Sequence, residues 1–168
     1  MPPSKNYLYV AMYILPGSEL RYHWALLIGP KDEPGGQVKG YRYHVKADFS
    51  DFVFEEKQLK HGLETKALLG LIIIVKIEDE SLLIEISRNV PVKQQSDWNC
   101  ASWVQDALKA VAAYGKAVGA SNLNWEDIHK TGMEFIGKKV REERFKTVAL
   151  MEGPKPTYDL LEGRVLQE

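Results

Sequence analysis

The sequence predicts an α+β fold: a mostly antiparallel sheet of about five strands packed against a helix with Cys100 at its N-terminus, plus a C-terminal helix. Three observations predict it. Short runs rich in β-branched and aromatic residues, punctuated by Pro and Gly, fill the chain as far as Ile77. Beyond that point, apolar residues recur at helical spacing from Ala101 and again from Trp125. Finally, 168 residues that are 45% hydrophobic and 27% charged suffice for one core, and no repeat, low-complexity tract or linker divides them. The whole chain, 1–168, reads as a single domain: a core over about 7–118, a helical extension over about 124–150 and an extended tail over about 153–168.

In chain order, Tyr7 to Leu15 is aromatic and aliphatic and stops at Pro16-Gly17, which predicts a strand. Arg21 to Ile28 predicts a second. Its two faces, His23-Ala25-Leu27 and Trp24-Leu26-Ile28, are both mostly apolar, as expected of a central strand covered on two sides. Pro30 to Gly40 holds Pro34-Gly35-Gly36 and reads as a mobile loop. Tyr41 to Lys46 returns as a strand, and a hairpin is the simplest connection. Alternation puts His44 with Arg42 and Lys46 on its polar face. A register pairing His23 directly with His44 points both rings to one side, with small Ala25 leaving room beside them.

Phe52 to Glu56 is a further short strand, Lys57 to Lys66 stays unassigned, and Leu68 to Ile77 is the most buried-looking strand. Asp79 to Arg88 predicts a helix capped by Asp79, with a strand as the alternative. Val90 to Trp98 is a loop that delivers the chain to Cys100. The following helix is capped by Asn99 or Asp97 and ends near Gly115 or Gly119. Asn124, with Asp127 three residues on, opens a helix that turns Trp125, Ile128, Phe135 and Ile136 inward.

Composition excludes several classes. Lys plus Arg is 22 against 23 for Asp plus Glu, a net charge of −1, so no basic excess points to nucleic acid. One cysteine permits neither an internal disulfide nor a thiolate zinc site, and no metal or cofactor is implied. A reducing, cytoplasmic setting is the expectation. Neither Tyr7 to Leu15 nor Ala67 to Ile77 has the length of a spanning helix or the pattern of a signal peptide.

Three residues carry potential chemistry. Cys100 lies in the first turn of a helix, where unpaired N–H groups and the macrodipole favour a thiolate. Such a thiol needs a base within hydrogen-bond reach, and the base needs an orienting partner. His23 and His44 on adjacent strands could supply them. The backbone N–H of Cys100 could receive an oxyanion, with Asn99, Trp98 and Trp24 assigned to oxyanion or substrate contact. The competing readings are a packed thiol, a satisfied core imidazole at His23 and a solvated one at His44. His61 and His129 read as surface residues.

The blocks H-W-A-L-L-I-G (His23 to Gly29), G-Y-R-Y-H-V (Gly40 to Val45) and N-C-A-S-W-V (Asn99 to Val104) resemble the lecithin:retinol acyltransferase family. That family, with its phospholipase A/acyltransferase relatives, belongs to the permuted papain-like (NlpC-type) superfamily. The resemblance covers roughly Leu20 to Tyr114. It implies a permuted papain-like fold in which Cys100 is the nucleophile, His23 the general base and His44 its orienting partner. The implied activity is a cysteine-dependent hydrolase or acyltransferase working through a thioester on an ester, thioester, amide or isopeptide. Its partner would be a small acyl-containing molecule, a lipid or a peptide or protein conjugate. Here Ala101-Ser102 replaces the family's usual acidic and basic pair, and Asn124 to Glu168 has no counterpart. The PPPDE-type isopeptidases share the histidine-then-cysteine order and are one alternative. A non-catalytic binding protein that retains the fold is another. For Trp125 to Lys139, docking on the core is preferred over peripheral contact with anionic lipid through Lys138-Lys139.

Overall fold

The structure is a computed structural model that describes residues 6–15, 22–31, 40–59, 67–119, 123–147, 150–151 and 154–168. His61, most of the Pro30 to Gly40 loop and most of the Lys57 to Lys66 stretch lie outside these residues. Seven strands form one sheet: β1 (Tyr7–Ile14), β2 (Tyr22–Gly29), β3 (Gly40–Asp48), β4 (Asp51–Leu59), β5 (Leu68–Lys76), β6 (Thr157–Asp159) and β7 (Arg164–Gln167). Their order is β4-β3-β2-β1-β5-β6-β7, antiparallel throughout except where β6 runs parallel to β5. The expected α+β class and mostly antiparallel sheet are present. Two strands exceed the expected five because the tail after Gly153 folds into β6 and β7 and extends the sheet.

Three helices are described: α1 (Glu80–Asn89), α2 (Cys100–Tyr114) and α3 (Trp125–Arg141). Asp79 caps α1 as predicted, its side chain accepting from the Leu82 N–H, and this excludes the alternative strand there. Asn99 is the cap of α2, and Gly115 ends that helix with a left-handed φ of 70°. Asn124 caps α3, which ends at Arg141, short of the expected 150.

β1, β2 and β5 are buried on both sides, so the sheet divides two apolar clusters. One cluster joins Met12, Trp24, Leu26, Tyr43, Val45 and Ile72 to Trp103, Val104 and Leu108 of α2 and to Ile128 and Ile136 of α3. The other joins Tyr9, Ala11, Tyr13, Ala25, Leu27, Leu68 and Ile73. Helix α3 comes close because Gly132 leaves space: a Cβ there would lie 2.8 Å from Met12 Sδ and 3.0 Å from the Trp24 indole. The period of two along β2 thus sends Trp24 and Leu26 towards the helices, and His23, Ala25 and Leu27 away from them.

Candidate active site

Four neighbouring strands place a polar cluster on the side of the sheet away from the helices. Tyr13 of β1 stands directly across from His23 of β2, and their rings are 5.9 Å apart. β2 meets β3 over three pairs, of which Leu26 with Tyr43 is the last before the histidines. That register puts His44 level with Ala25, so the two histidines are diagonal neighbours rather than directly opposed. They still face the same way and touch: His23 Nε2 lies 2.6 Å from His44 Nδ1. On β4, Glu55 is paired with His44, and its Oε1 is 2.9 Å from His44 Nε2.

The carboxylate fixes the protons along this chain. Glu55 can only accept, so His44 Nε2–H donates to it, and a neutral His44 then has an acceptor at Nδ1. His23 Nε2–H fills that acceptor, and the lone pair of His23 falls on Nδ1. Burial, reinforced by the proximity of His44 and Arg42, pushes the His23 pKa down to about 4. Burial also lowers that of His44, against the pull of the Glu55 hydrogen bond. Lys46, whose Nζ donates to Glu55 Oε2 at 2.7 Å, and then His44 hold the Glu55 pKa at about 2. Near neutral pH the cluster is therefore a carboxylate, two neutral imidazoles and two cations, Arg42 and Lys46. Such a chain can orient a ring, present one basic nitrogen and stabilise the imidazolium that forms when it takes a proton.

Cys100 lies elsewhere. It is the first residue of α2, half-buried, and it packs against the helix-side cluster. The structure thus unites His23 with His44 but leaves Cys100 on the other side of the strands that carry them. Asn99 is exposed and acts as a cap: its Oδ1 accepts from the N–H groups of Ala101 and Ser102, while Ser102 Oγ accepts from the Asn99 N–H. Asn99→Ala should lower the stability by about 1 kcal/mol in urea denaturation.

Two residues expected at substrate contacts are buried. Trp98 is 6% exposed, and its indole N–H donates to Asp106 at 3.1 Å. Trp24 is 3% exposed and stacks on His129. Both are packing residues. His129 is likewise not a surface residue; it is half-buried, with ring centroids 5.2 Å from Trp24 and 5.4 Å from Trp125.

Glu55, Arg42 and Tyr13 escaped sequence reasoning. The signal for Glu55 was the tight hairpin at Phe49-Ser50, which makes residue 55 the partner of residue 44. Among the described residues no cluster of three or more His, Cys, Asp or Glu is arranged to hold a metal ion, and no helix is long and apolar enough to cross a membrane.

A family model described as a family of unknown function, DUF6914, matches residues 5–166. The chain belongs to this family. No curated protein matches it, and no solved structure does. The match takes in the three described helices, β1 to β6 and β7 as far as residue 166, so β6 and most of β7 belong to the family's own extent rather than to an appendage.

Proposed function

We propose that the chain is a hydrolase or acyl transferase whose general base is His23, acting on the carbonyl of an ester, thioester, amide or isopeptide. The observation that carries this reading is the hydrogen-bonded run Glu55–His44–His23, which ends in an imidazole kept neutral well below pH 7. Nδ1 of His23 takes the proton of an attacking water, or of an acceptor alcohol or amine in a transferase. His44 and Glu55 hold the ring and offset the charge it gains.

A second reading keeps Cys100 as nucleophile of a permuted papain-like site, through a thioester. It is favoured by the position of Cys100 as first residue of α2, at the positive end of the helix dipole, and by the chain order of two histidine strands before a cysteine helix. The placement of the imidazoles away from the helices favours water as the immediate nucleophile.

Turnover of a panel of chromogenic acyl esters, thioesters and isopeptides separates the readings. His23→Asn should lower kcat/KM by about 10³-fold, and Cys100→Ala should leave it within about threefold. The acid limb of kcat/KM should fall near pH 4 rather than near 6.5. An acyl adduct on Cys100 in mass spectrometry, with Cys100→Ala inactive, would transfer the reading to the thioester route. Turnover indifferent to both His23 and Cys100 would overturn both readings, and no turnover of any member of the panel would leave a binding protein.

A further inference from the structure

Beside His23, two hydrogen-bond donors have been taken out of water without an acceptor. The hydroxyl of Tyr13 and Nε of Arg42 are both buried, and neither has a hydrogen-bond partner among the described residues. Tyr13 is 5% exposed. Leaving a buried polar group unpaired is costly, so two in one place, next to an oriented base, call for an explanation.

Local packing shows how they come together. Ala11 and Ala25 are paired across β1 and β2 and are fully buried, and their small side chains let Arg42 reach from β3 across β2 to β1. Its guanidinium carbon lies 5.3 Å from the centre of the Tyr13 ring. In that position its charge and its hydrogen-bonding approach to the phenol oxygen both oppose the rise that burial imposes on the Tyr13 pKa, while the hydroxyl proton of Tyr13 and Nε–H of Arg42 still lack an acceptor. Nη2 of Arg42 is held by Glu55 at 3.2 Å, which fixes the guanidinium plane and leaves Nε–H uncommitted. The same carboxylate therefore orients the base, through His44, and this donor.

We infer that Tyr13 and Arg42 are the donors for the substrate oxygen that becomes anionic when a nucleophile activated by His23 adds to its carbonyl. This rests on the general-base reading. In the step, His23 Nδ1 removes a proton from water as the new O–C bond forms, and the carbonyl π pair moves onto its oxygen. Tyr13 O–H and Arg42 Nε–H donate to that oxyanion. On collapse the C=O bond re-forms, the bond to the leaving group breaks, and the proton on His23 passes to the departing oxygen, sulfur or nitrogen. The substrate is thus an acyl compound whose carbonyl oxygen, not only its acyl chain, is recognised. The two donors would raise kcat more than they lower KM, because they bond more strongly to the oxyanion than to the carbonyl.

Tyr13→Phe tests this, since it removes one oxygen and no packing volume. It should lower kcat by about 10²-fold, shift KM by less than about twofold and leave the urea midpoint unchanged or slightly raised. A Tyr13→Phe protein with wild-type kcat, on a substrate that His23→Asn no longer turns over, overturns the assignment but not the general-base reading. Turnover that ignores His23 overturns the general-base reading instead. Titration with acetate, followed by the NMR signals of the His23 ring, judges the donors without turnover. Saturable shifts in the wild type, weakened at least about fivefold in Tyr13→Phe, support the pair. Absence of a saturable shift, or equal affinity in the two proteins, rejects it.

Discussion

Acidification from pH 6.5 to 4 is expected to remove up to roughly 3 kcal/mol of folding stability through His23 alone. The sign follows from which state binds the proton. An unfolded chain takes it up near 6.5, whereas the folded ring resists until about 4, because burial and the neighbouring His44 and Arg42 penalise the imidazolium. Stability is therefore full above 6.5, falls as the pH drops towards 4, and loses nothing more from this group below that. His44, also lowered, adds to the loss in the same direction. Glu55 acts in a separate window, since its carboxylate is held at about 2 and favours folding until the pH falls from 4.5 towards that value. Urea midpoints at pH 7, 5.5 and 4 should show the slope, and His23→Gln should remove most of it. A wild-type midpoint that stays level between pH 7 and 4 would mean that the ring is solvated and titrates like a surface histidine.

Gly40→Ala is expected to destabilise the fold by roughly 3 kcal/mol. Gly40 opens β3 with φ of 138°, a region L side chains rarely enter, and a Cβ there would sit 1.8 Å from the Ile28 carbonyl oxygen. The clash cannot be relieved by a rotamer, because both partners are backbone, so β2 and β3 would have to separate. Equilibrium urea unfolding measures the cost. An exposed site such as Gly163, where a Cβ meets nothing within 4 Å, is the control for backbone strain without the clash. A Gly40→Ala protein no less stable than Gly163→Ala would show that β2 and β3 do not approach as described.

The central strands were legible because they are long, apolar and bounded by Pro and Gly. The caps at Asp79 and Asn124 were legible because short polar side chains suit those positions, and for α2 the same rule left Asn99 and Asp97 as equal candidates until the structure placed Asn99 there. That His23 and His44 share a face followed from alternation alone, but their diagonal offset did not, since register depends on a loop whose length says little about where pairing begins. Glu55 was hidden by its turn. Phe49, fully exposed, takes a left-handed φ of 58° where glycine or asparagine would have announced a two-residue hairpin. β6 and β7 are three and four residues long, too short for periodicity to register. His129 was misplaced because helical spacing shows which side of α3 it occupies, not that Trp24 and Trp125 reach round to meet it.

β1 and β2 are joined over eight pairs and β3 and β4 over nine, but β2 and β3 over only three. The outer hairpin is thus joined to the central strands by a short ladder, and the rest of its attachment comes from side chains: Tyr43, Val45 and Phe54 packed against the core beneath α2, Arg88 on Glu56, and the contact between His23 and His44 on the opposite face. The proton affinity of His23 is therefore set across this seam, first by the burial that the hairpin helps to provide and then by His44, whose ring nitrogen lies 2.6 Å away.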